Sequence, residues 1–424
     1  MLCCVFLALL PCVFAQGEKD LVSNLPGLQF DVNFKTYSGY LKANQENTWH
    51  MHYMLTESKD NPDTDPVLVW FNGGPGCSSY AGLFEELGPF YVNFGGDTLY
   101  ENKYSWNAKA NVLYLESPIG VGFSYDSVHD SYFAADDSQT ALQNYNALKD
   151  FFETVQPKYK NRTFFLSGES YAGIYIPMLS QLLVEGINNS SFPNNNFQSN
   201  GIDFTGDNST CGEKLSPLIT VPANMFPYNY YEDCYESALI EAPAPPSPRY
   251  RAEFQGTSDI AKNTATLMNY ISTDSQWGYP CWNEEALLSY SNRRDVQDAL
   301  HIPDAWRKQA NGQYNWTDCN DNIYDNYQLT FNTTNAFFDY VLKNVKTPNF
   351  RFLIYNGDVD TVCNYLGDAW HMQDVASSAL LQVTEHHLRC SLDIPTTHSV
   401  RNQFGAKQAG LAPPASTSTL YFFA

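Results

Sequence analysis

The sequence has few basic residues, with 24 Lys and Arg against 46 Asp and Glu, and its formal net charge at pH 7 is −22. So acidic a chain repels a phosphate backbone, which argues against a nucleic-acid partner. Histidine is also scarce, at eight residues in 424. No two cysteines have the spacing of a zinc site. We therefore expect neither a bound metal nor a cofactor.

Long apolar runs are missing after residue 15, so no later segment is predicted to cross a membrane. Residues 1–15 form one short apolar block, and the small residues Val13 and Ala15 stand where a signal peptide is cleaved. We therefore predict entry into the secretory pathway and a lysosomal or extracellular location. Glycosylation sequons agree with this route, and they lie at Asn161, Asn188, Asn189, Asn208, Asn315 and Asn332.

Four short apolar runs end in turn-forming residues, at 67–71, 112–115, 164–166 and 350–355. Such runs predict buried parallel strands, and ligands bind at the carboxyl edge of an open α/β sheet. Between the second and third runs, residues 136–155 predict a packing helix. Its apolar positions at helical spacing are Leu142, Tyr145, Leu148, Phe152 and Val155.

The segment Gly168-Glu169-Ser170-Tyr171-Ala172-Gly173 follows one of these runs and precedes an apolar stretch. A nucleophile elbow has this context, because its serine occupies a strained turn that needs very small residues two positions away on either side. Gly168 and Ala172 meet that need. An ordinary strand-to-helix turn is the alternative, and these six residues alone do not exclude it.

A second segment, WFNGGPGCSS at 70–79, bends sharply after a strand, and its backbone N–H groups could face a developing oxyanion. Together with GESYAG it resembles the serine carboxypeptidase family. The further matching segments are ELGP at 86–89, ESPIGVGFSY at 116–125 and NGDVD at 356–360, within a resemblance that covers 25–195 and 225–370. The resemblance implies an α/β-hydrolase fold, with a mostly parallel central sheet flanked by helices and an inserted cap. It also implies release of C-terminal amino acids from peptides.

The resemblance assigns catalytic roles to individual residues. Ser170 would be the nucleophile, and Asp360, in preference to Asp358, would be the acid of a catalytic triad. The backbone N–H groups of Gly74 and Tyr171 would form the oxyanion hole. The partners that the resemblance implies are therefore peptide substrates with a free C-terminal carboxylate.

The resemblance also implies that Asn72, Gly73, Glu86 and Glu169 bind the substrate's free C-terminal carboxylate. Three carboxyl groups cannot be ionised together at one place, so repulsion between the two glutamates should raise an apparent pKa. A protonated glutamate could then donate a hydrogen bond to the substrate. Raising the pH would remove that donor, which predicts activity that favours acid.

Cysteine pairing follows from the same resemblance. Ten cysteines are present, and three of them fall within residues 1–15. In an oxidising compartment most of the others should form disulfides. The family implies two pairs, Cys77 with Cys319 and Cys234 with Cys281.

The catalytic histidine is where the sequence departs from the family. The family's Gly-x-Gly-His-x-Val-Pro segment is absent, and the closing stretch GAKQAGLAPPASTSTLYFFA at 405–424 predicts neither a strand nor an amphipathic helix. The family's Gly-Asn-Gly strand end is also missing near Gln198. Among the histidines after Asp360, only His398 follows an apolar patch and is a candidate base. Because the segment around it offers no rigid support, we expect little carboxypeptidase activity from this chain.

These observations predict five regions: a signal peptide at 1–15, a hydrolase core at 16–185 and 286–370, an inserted cap at 186–285, and a divergent tail at 371–424. Three functions stay open. The first is a serine carboxypeptidase, and the second is an impaired homologue that binds peptides or stabilises a partner. The third is acyl transfer or ester hydrolysis on the same scaffold. A homodimer is also left open.

Overall fold

The fold is described from a computed structural model of the chain. The structure describes residues 16–93, 95–129, 135–202, 284–312, 315–331, 333–348, 350–356, 360, 363, 365–379, 383–386 and 419–423. The predicted signal peptide and the predictions for Asn208, Cys234, Cys281, Asn332 and His398 lie outside these residues.

The described strands are β1 (Thr36–Lys42), β2 (Trp49–Thr56), β3 (Val67–Phe71), β4 (Phe90–Val92), β5 (Leu99–Glu101), β6 (Asn111–Leu115), β7 (Tyr125–Asp126), β8 (Phe164–Gly168), β9 (Phe197–Ile202), β10 (Arg351–Tyr355), β11 (Val383–His386) and β12 (Thr419–Phe423). The described α-helices are α1 (Asp137–Asp150), α2 (Ala172–Asn188), α3 (Glu284–Ser291), α4 (Arg294–Ala299), α5 (Asp304–Arg307), α6 (Asp321–Asn326), α7 (Asn335–Asn344) and α8 (Tyr365–Ala379). Single π-helical turns occupy Gly82–Glu86 and Phe151–Val155.

The strands form one large sheet in the order β1-β2-β6-β3-β8-β9-β10-β12-β11, with β7 beside β2, and β4 pairs separately with β5. β1, β2 and β6 pair antiparallel, and every pair from β6 to β11 is parallel. The four apolar runs predicted as strands, in chain order, correspond to β3, β6, β8 and β10. This correspondence confirms the predicted α/β fold class. The carboxyl ends of these four strands therefore lie along one edge of the sheet.

Helices and loops cover both faces of this sheet. In β3, Val69 packs into one apolar cluster and Trp70 into the other, because successive side chains of a strand point to opposite faces. β6 repeats the pattern with Leu113 and Tyr114. Burial on both faces explains why these strands are continuous apolar runs rather than alternating ones.

The predicted packing helix is α1 followed by the π-helical turn, and one of its assignments is wrong. Leu148, Phe152 and Val155 are buried, whereas Leu142 is 50% exposed. Ala141, seven residues before Leu148, lies on the buried face, and Leu142 is rotated away from it.

Two segments enter the sheet against expectation. β9 contains Gln198, where the family's strand end is missing, yet it pairs in parallel with β8 and β10 inside the range predicted as the cap. The second is the closing stretch 405–424, which is predicted to form neither a strand nor an amphipathic helix and yet supplies β12. Most of α8 and all of β11 come from the preceding part of the tail. Backbone pairing with an existing sheet supplies hydrogen bonds that local sequence does not reveal. The division into regions otherwise stays a prediction, since 203–283 lie outside the described residues.

Candidate active site

Ser170 lies between β8 and α2 in a strained conformation. Its φ is 56°, in the left-handed region that residues other than glycine seldom adopt. A Cβ atom on Gly168 would lie 2.5 Å from the Phe71 carbonyl oxygen and 2.8 Å from Ala172 Cβ. The turn therefore requires small residues on both sides of Ser170, as a nucleophile elbow would.

The loop after β3 closes over this serine. A Cβ atom on Gly73 would lie 2.4 Å from the Tyr171 backbone nitrogen and 2.9 Å from Ser170 Oγ. Within the described part of the chain, the N–H groups of Gly74 and Tyr171 donate no hydrogen bond. Two backbone donors are thus available on the segments that meet at the Ser170 hydroxyl.

A disulfide fastens this loop to a distant part of the chain. Cys77 and Cys319 are bonded at 2.02 Å across a sequence separation of 242 residues, which is the pairing implied by the resemblance. Beside it, the Ser78 N–H donates to the Asp318 carbonyl at 2.7 Å. The Asn320 N–H donates to the Gly76 carbonyl at 2.9 Å. The loop is therefore held by covalent and backbone contacts together.

Asn72 brings two glutamates together. Its Nδ2 donates to Glu86 Oε1 at 3.0 Å and to Glu169 Oε1 at 2.8 Å. Its Oδ1 accepts from Trp70 Nε1 at 2.8 Å and from the Gly82 N–H at 3.0 Å. Because two fixed donors face Oδ1, the amide can point only its NH₂ group at the carboxyl groups.

These carboxyl groups hold a proton unusually tightly. Burial and the charge of Glu169 raise the pKa of Glu86 well above its ordinary value. Burial raises the pKa of Glu169 to about 7, although hydrogen bonds from Asn72 and Glu86 act against the rise. At least one of the two glutamates therefore carries a proton in mildly acidic solution, as two interacting carboxyl groups should.

Asp360 belongs to the same edge of the sheet. It follows β10 by five residues, and its Oδ1 accepts the Cys363 N–H at 2.9 Å. Its negative charge contributes to the raised pKa of Glu169, so the two carboxyl groups lie within electrostatic reach of each other. Asp358 lies outside the described residues.

Sequence reasoning missed a second carboxyl group beside Asp360. Asp368 on α8 is 2% exposed and accepts a hydrogen bond from Asn356 Nδ2. Burial is the main reason that its pKa rises to about 7, and the charge of Asp360 adds to the effect. No periodicity marks Asp368 in the sequence, so only its position against the loop after β10 identifies it.

Five of the described histidines have partners other than Ser170. His50 stacks on Tyr125, His129 contacts Asp126, His301 contacts the Ser38 carbonyl, and His371 contacts Thr334. His52 is paired with a glutamate. None of these contacts involves Ser170 or Asp360. The predicted base, His398, lies outside the described residues.

His52 belongs to a buried chain of polar side chains that the sequence did not reveal. Its Nδ1 lies 2.9 Å from Glu116 Oε2, its Nε2 lies 2.9 Å from Ser38 Oγ, and both His52 and Glu116 have side chains with 0% exposure. The order serine, histidine, acid is that of a catalytic triad. Ser38 donates to the Leu300 carbonyl at 2.7 Å and is buried, so no substrate reaches it.

The described residues show no sign of a metal site or a membrane span. Within the ranges given above, no group of three or more His, Cys, Asp or Glu side chains could hold a metal ion. Among the same residues, no helix is both long enough and apolar enough to cross a bilayer.

A mostly parallel sheet flanked by helices, with a strained serine after its strand β8, defines an α/β-hydrolase fold. The profile of the family described as serine carboxypeptidase matches residues 26–203 and 200–393. The chain belongs to the serine carboxypeptidase family. The match continues past Trp370, so the resemblance extends further towards the carboxyl terminus than the motifs alone indicated.

Individual relatives agree with this assignment. The chain is 52% identical to serine carboxypeptidase ctsa-3.1 of Caenorhabditis elegans, over 86% of this chain and 77% of the relative. It is 33% identical to the lysosomal protective protein of Mus musculus, over 85% and 82%. Among solved structures, the prohormone-processing carboxypeptidase Kex1Δp of Saccharomyces cerevisiae matches with a TM-score of 0.61 and 20% identity. That match covers 88% of this chain and 86% of the other, and it supports the fold.

Proposed function

We propose that this chain is a serine carboxypeptidase that removes single amino acids from the carboxyl termini of peptides through an acyl-enzyme on Ser170. The observation that carries the proposal is the approach of Gly73 to Ser170 beside the Asn72, Glu86 and Glu169 group. A nucleophile and a site suited to a carboxylate thus adjoin each other. That combination selects the last peptide bond of a chain.

In the proposed reaction, Ser170 Oγ attacks the carbonyl carbon of the last peptide bond while a general base takes its proton. The N–H groups of Gly74 and Tyr171 stabilise the negative charge on the carbonyl oxygen. The base then protonates the leaving nitrogen, and the terminal amino acid departs. Water hydrolyses the remaining ester by the same steps. Asp360 orients the base, for which His398 is the candidate.

The C-terminal carboxylate of the substrate would bind at Asn72, Gly73, Glu86 and Glu169. The Asn72 amide and a protonated glutamate are its proposed donors. Because the pKa of Glu169 is about 7, this donor is present in acid and is lost as the pH rises through neutrality. We therefore propose that the site favours an acidic medium.

A second function is favoured by one specific observation. Five described histidines contact partners other than Ser170, namely His50, His52, His129, His301 and His371, and His398 is the predicted general base. If His398 does not reach Ser170, the chain would still recognise peptide carboxyl termini. It would then act as a peptide-binding or stabilising protein without turnover.

One experiment distinguishes the two functions. The purified chain is assayed near pH 5 for release of the C-terminal residue from an N-blocked dipeptide, beside Ser170→Ala and His398→Ala. Turnover that both substitutions abolish supports the carboxypeptidase with His398 as its base. Binding of the dipeptide without turnover supports the second function. Absence of both binding and turnover would contradict the proposed site.

We also propose a secretory route that ends in the lysosome or outside the cell. The sequon residues Asn161, Asn189 and Asn315 are exposed, so the structure leaves them accessible to glycosylation. Asn188, which donates to the Asn344 carbonyl at 3.0 Å, is less accessible. Protein secreted from a eukaryotic cell should lose mass on enzymatic removal of N-glycans. An unchanged mass would contradict this route.

A further inference from the structure

Glu116, the residue after β6, is fully buried and surrounded by donors. Its Oε1 accepts from Ser78 Oγ at 2.5 Å and from Trp316 Nε1 at 2.9 Å. Its Oε2 accepts from the Phe123 N–H at 2.8 Å and lies 2.9 Å from His52 Nδ1. Three hydrogen bonds therefore converge on this buried carboxyl group, and both of its oxygens accept. Such a group is rigidly held.

Two of these donors lie beside the disulfide that fastens the loop above Ser170. Ser78 follows Cys77 directly, and Trp316 precedes Cys319 by three residues. Glu116 Oε1 therefore joins the same two segments that the disulfide joins. Glu116 connects both segments to the end of β6, whereas the disulfide links the two segments to each other.

We propose that Glu116 is a positioning residue for the oxyanion hole. It holds Ser78 and Trp316 against the end of β6 and so fixes the position of Gly73 and Gly74 relative to Ser170. The inference rests on the proposed function, since it concerns the same nucleophile and the same backbone donors. Gly74 lies four residues before Ser78, and the Cys77 N–H donates back to the Gly73 carbonyl at 3.1 Å, so a shift of Ser78 reaches the glycines through one tight turn.

The substitution Glu116→Gln changes the hydrogen bonding with little change in volume. The glutamine amide has one accepting oxygen where the carboxyl group has two. Its NH₂ group would take the place of the second oxygen and would face the donors that this oxygen accepts from. Either the Ser78 and Trp316 pair or the Phe123 N–H then loses its acceptor. The substitution Ser78→Ala removes the hydrogen bond to Glu116 and the acceptor of the Tyr80 N–H, and it leaves the other donors to Glu116 in place.

Glu57→Gln is the matched control. Glu57 is also a buried glutamate, 6% exposed, and it accepts hydrogen bonds from Lys158 and the Tyr159 hydroxyl. It follows β2 at the end that pairs with the start of β6, so it lies at the opposite edge of the sheet from Ser170. Loss of a buried carboxylate is common to both variants, and only the position differs.

The experiment measures hydrogen exchange of the full chain and the labelling rate of Ser170 by a fluorophosphonate probe. We expect exchange in segments 73–80 and 316–320 to rise about tenfold or more in Glu116→Gln, and less in Ser78→Ala, through local opening. Labelling should slow by about 10- to 100-fold, as when an oxyanion donor is displaced. Glu57→Gln should change neither segment nor the labelling rate.

The outcomes distinguish the positioning role of Glu116 from the nucleophilic role of Ser170. Unchanged exchange in both segments for Glu116→Gln and Ser78→Ala would overturn the role of Glu116. Equal opening of these segments by Glu57→Gln would also overturn it. Absence of labelling in the parent chain would instead overturn the nucleophilic role of Ser170. If Glu116→Gln does not fold, exchange in Ser78→Ala decides the question.

Discussion

At the scale of single residues, Asn72 decides the chemistry of the carboxylate site. Its oxygen is occupied by Trp70 and Gly82, so its NH₂ group must face Glu86 and Glu169. Two carboxyl groups held this close share a proton, because their mutual repulsion is relieved only when one is neutral. In the proposed function, the protonated glutamate would allow a negatively charged peptide terminus to bind here.

A binding measurement tests this assignment. In the Ser170→Ala background, the dissociation constant of an N-blocked dipeptide should increase about tenfold between pH 5 and pH 8, because Glu169 loses its proton near pH 7. Glu169→Gln keeps a donor at every pH and should show a nearly flat dependence. Isothermal titration calorimetry measures both. Glu101→Gln, which changes a carboxylate paired with Lys59, should keep the parent's dependence. A flat profile in the parent would contradict the assignment.

At the scale of elements, the turn between β8 and α2 depends on the absence of side chains. Gly168 approaches the end of β3 so closely that even a methyl group would meet the Phe71 carbonyl oxygen. Backbone atoms cannot move aside cheaply, so the strain would spread to both strands. The same approach holds Ser170 at positive φ, where its hydroxyl is presented at the edge of the sheet.

Gly168→Ala should therefore destabilise the chain by about 1–3 kcal/mol, the usual cost of overpacking. Equilibrium unfolding in urea measures the loss. Gly95→Asn is the control, because a Cβ at Gly95 would meet no atom within 4 Å and asparagine tolerates positive φ. A Gly168→Ala variant as stable as the parent would show that the turn tolerates a side chain and would contradict the elbow geometry.

At the scale of the whole molecule, one covalent bond and several buried protons couple distant parts of the chain. The Cys77–Cys319 disulfide joins residues 242 apart and closes a loop around much of the fold. The raised pKa values of Glu86, Glu169 and Asp368 mean that the folded chain binds protons that the unfolded chain releases.

Removal of the disulfide by Cys77→Ser with Cys319→Ser should lower the free energy of unfolding by about 3–5 kcal/mol, because a loop of this size strongly restricts the unfolded chain. Urea denaturation of the double variant and of the parent measures the difference. The loop after β3, at 73–80, should also exchange its amide hydrogens faster in the double variant. A difference below about 1 kcal/mol would contradict the structural role of this bond.

Stability should also depend on pH in a defined direction. For carboxyl groups whose pKa is raised on folding, the stabilisation is present below the unfolded pKa and is lost as the pH rises through the folded value. The melting temperature should therefore fall between about pH 5 and pH 8, and Glu169→Gln with Asp368→Asn should reduce the slope. Differential scanning calorimetry measures it. A melting temperature that rises over this interval would contradict the raised pKa values of Glu169 and Asp368.

The sequence by itself determined the features that depend on neighbouring residues. The apolar runs of β3, β6, β8 and β10 end in Gly or Pro, and the Gly168–Ala172 pattern around Ser170 follows from what one tight turn allows. The serine carboxypeptidase motifs also belong to this local information, because each is a short segment with its own chemistry.

Only the tertiary structure decided which of these segments meet. Leu142 is exposed and β9 enters the sheet because neighbouring elements, not local propensity, select the buried face and the pairing partner. Asp368 beside Asp360 carries no mark in the sequence, and the motif that contains Glu116 does not reveal its contact with Ser78. Hydrogen bonds, burial and electrostatic repulsion act over a few ångströms in space, whereas the residues that they join lie tens or hundreds of positions apart in the chain.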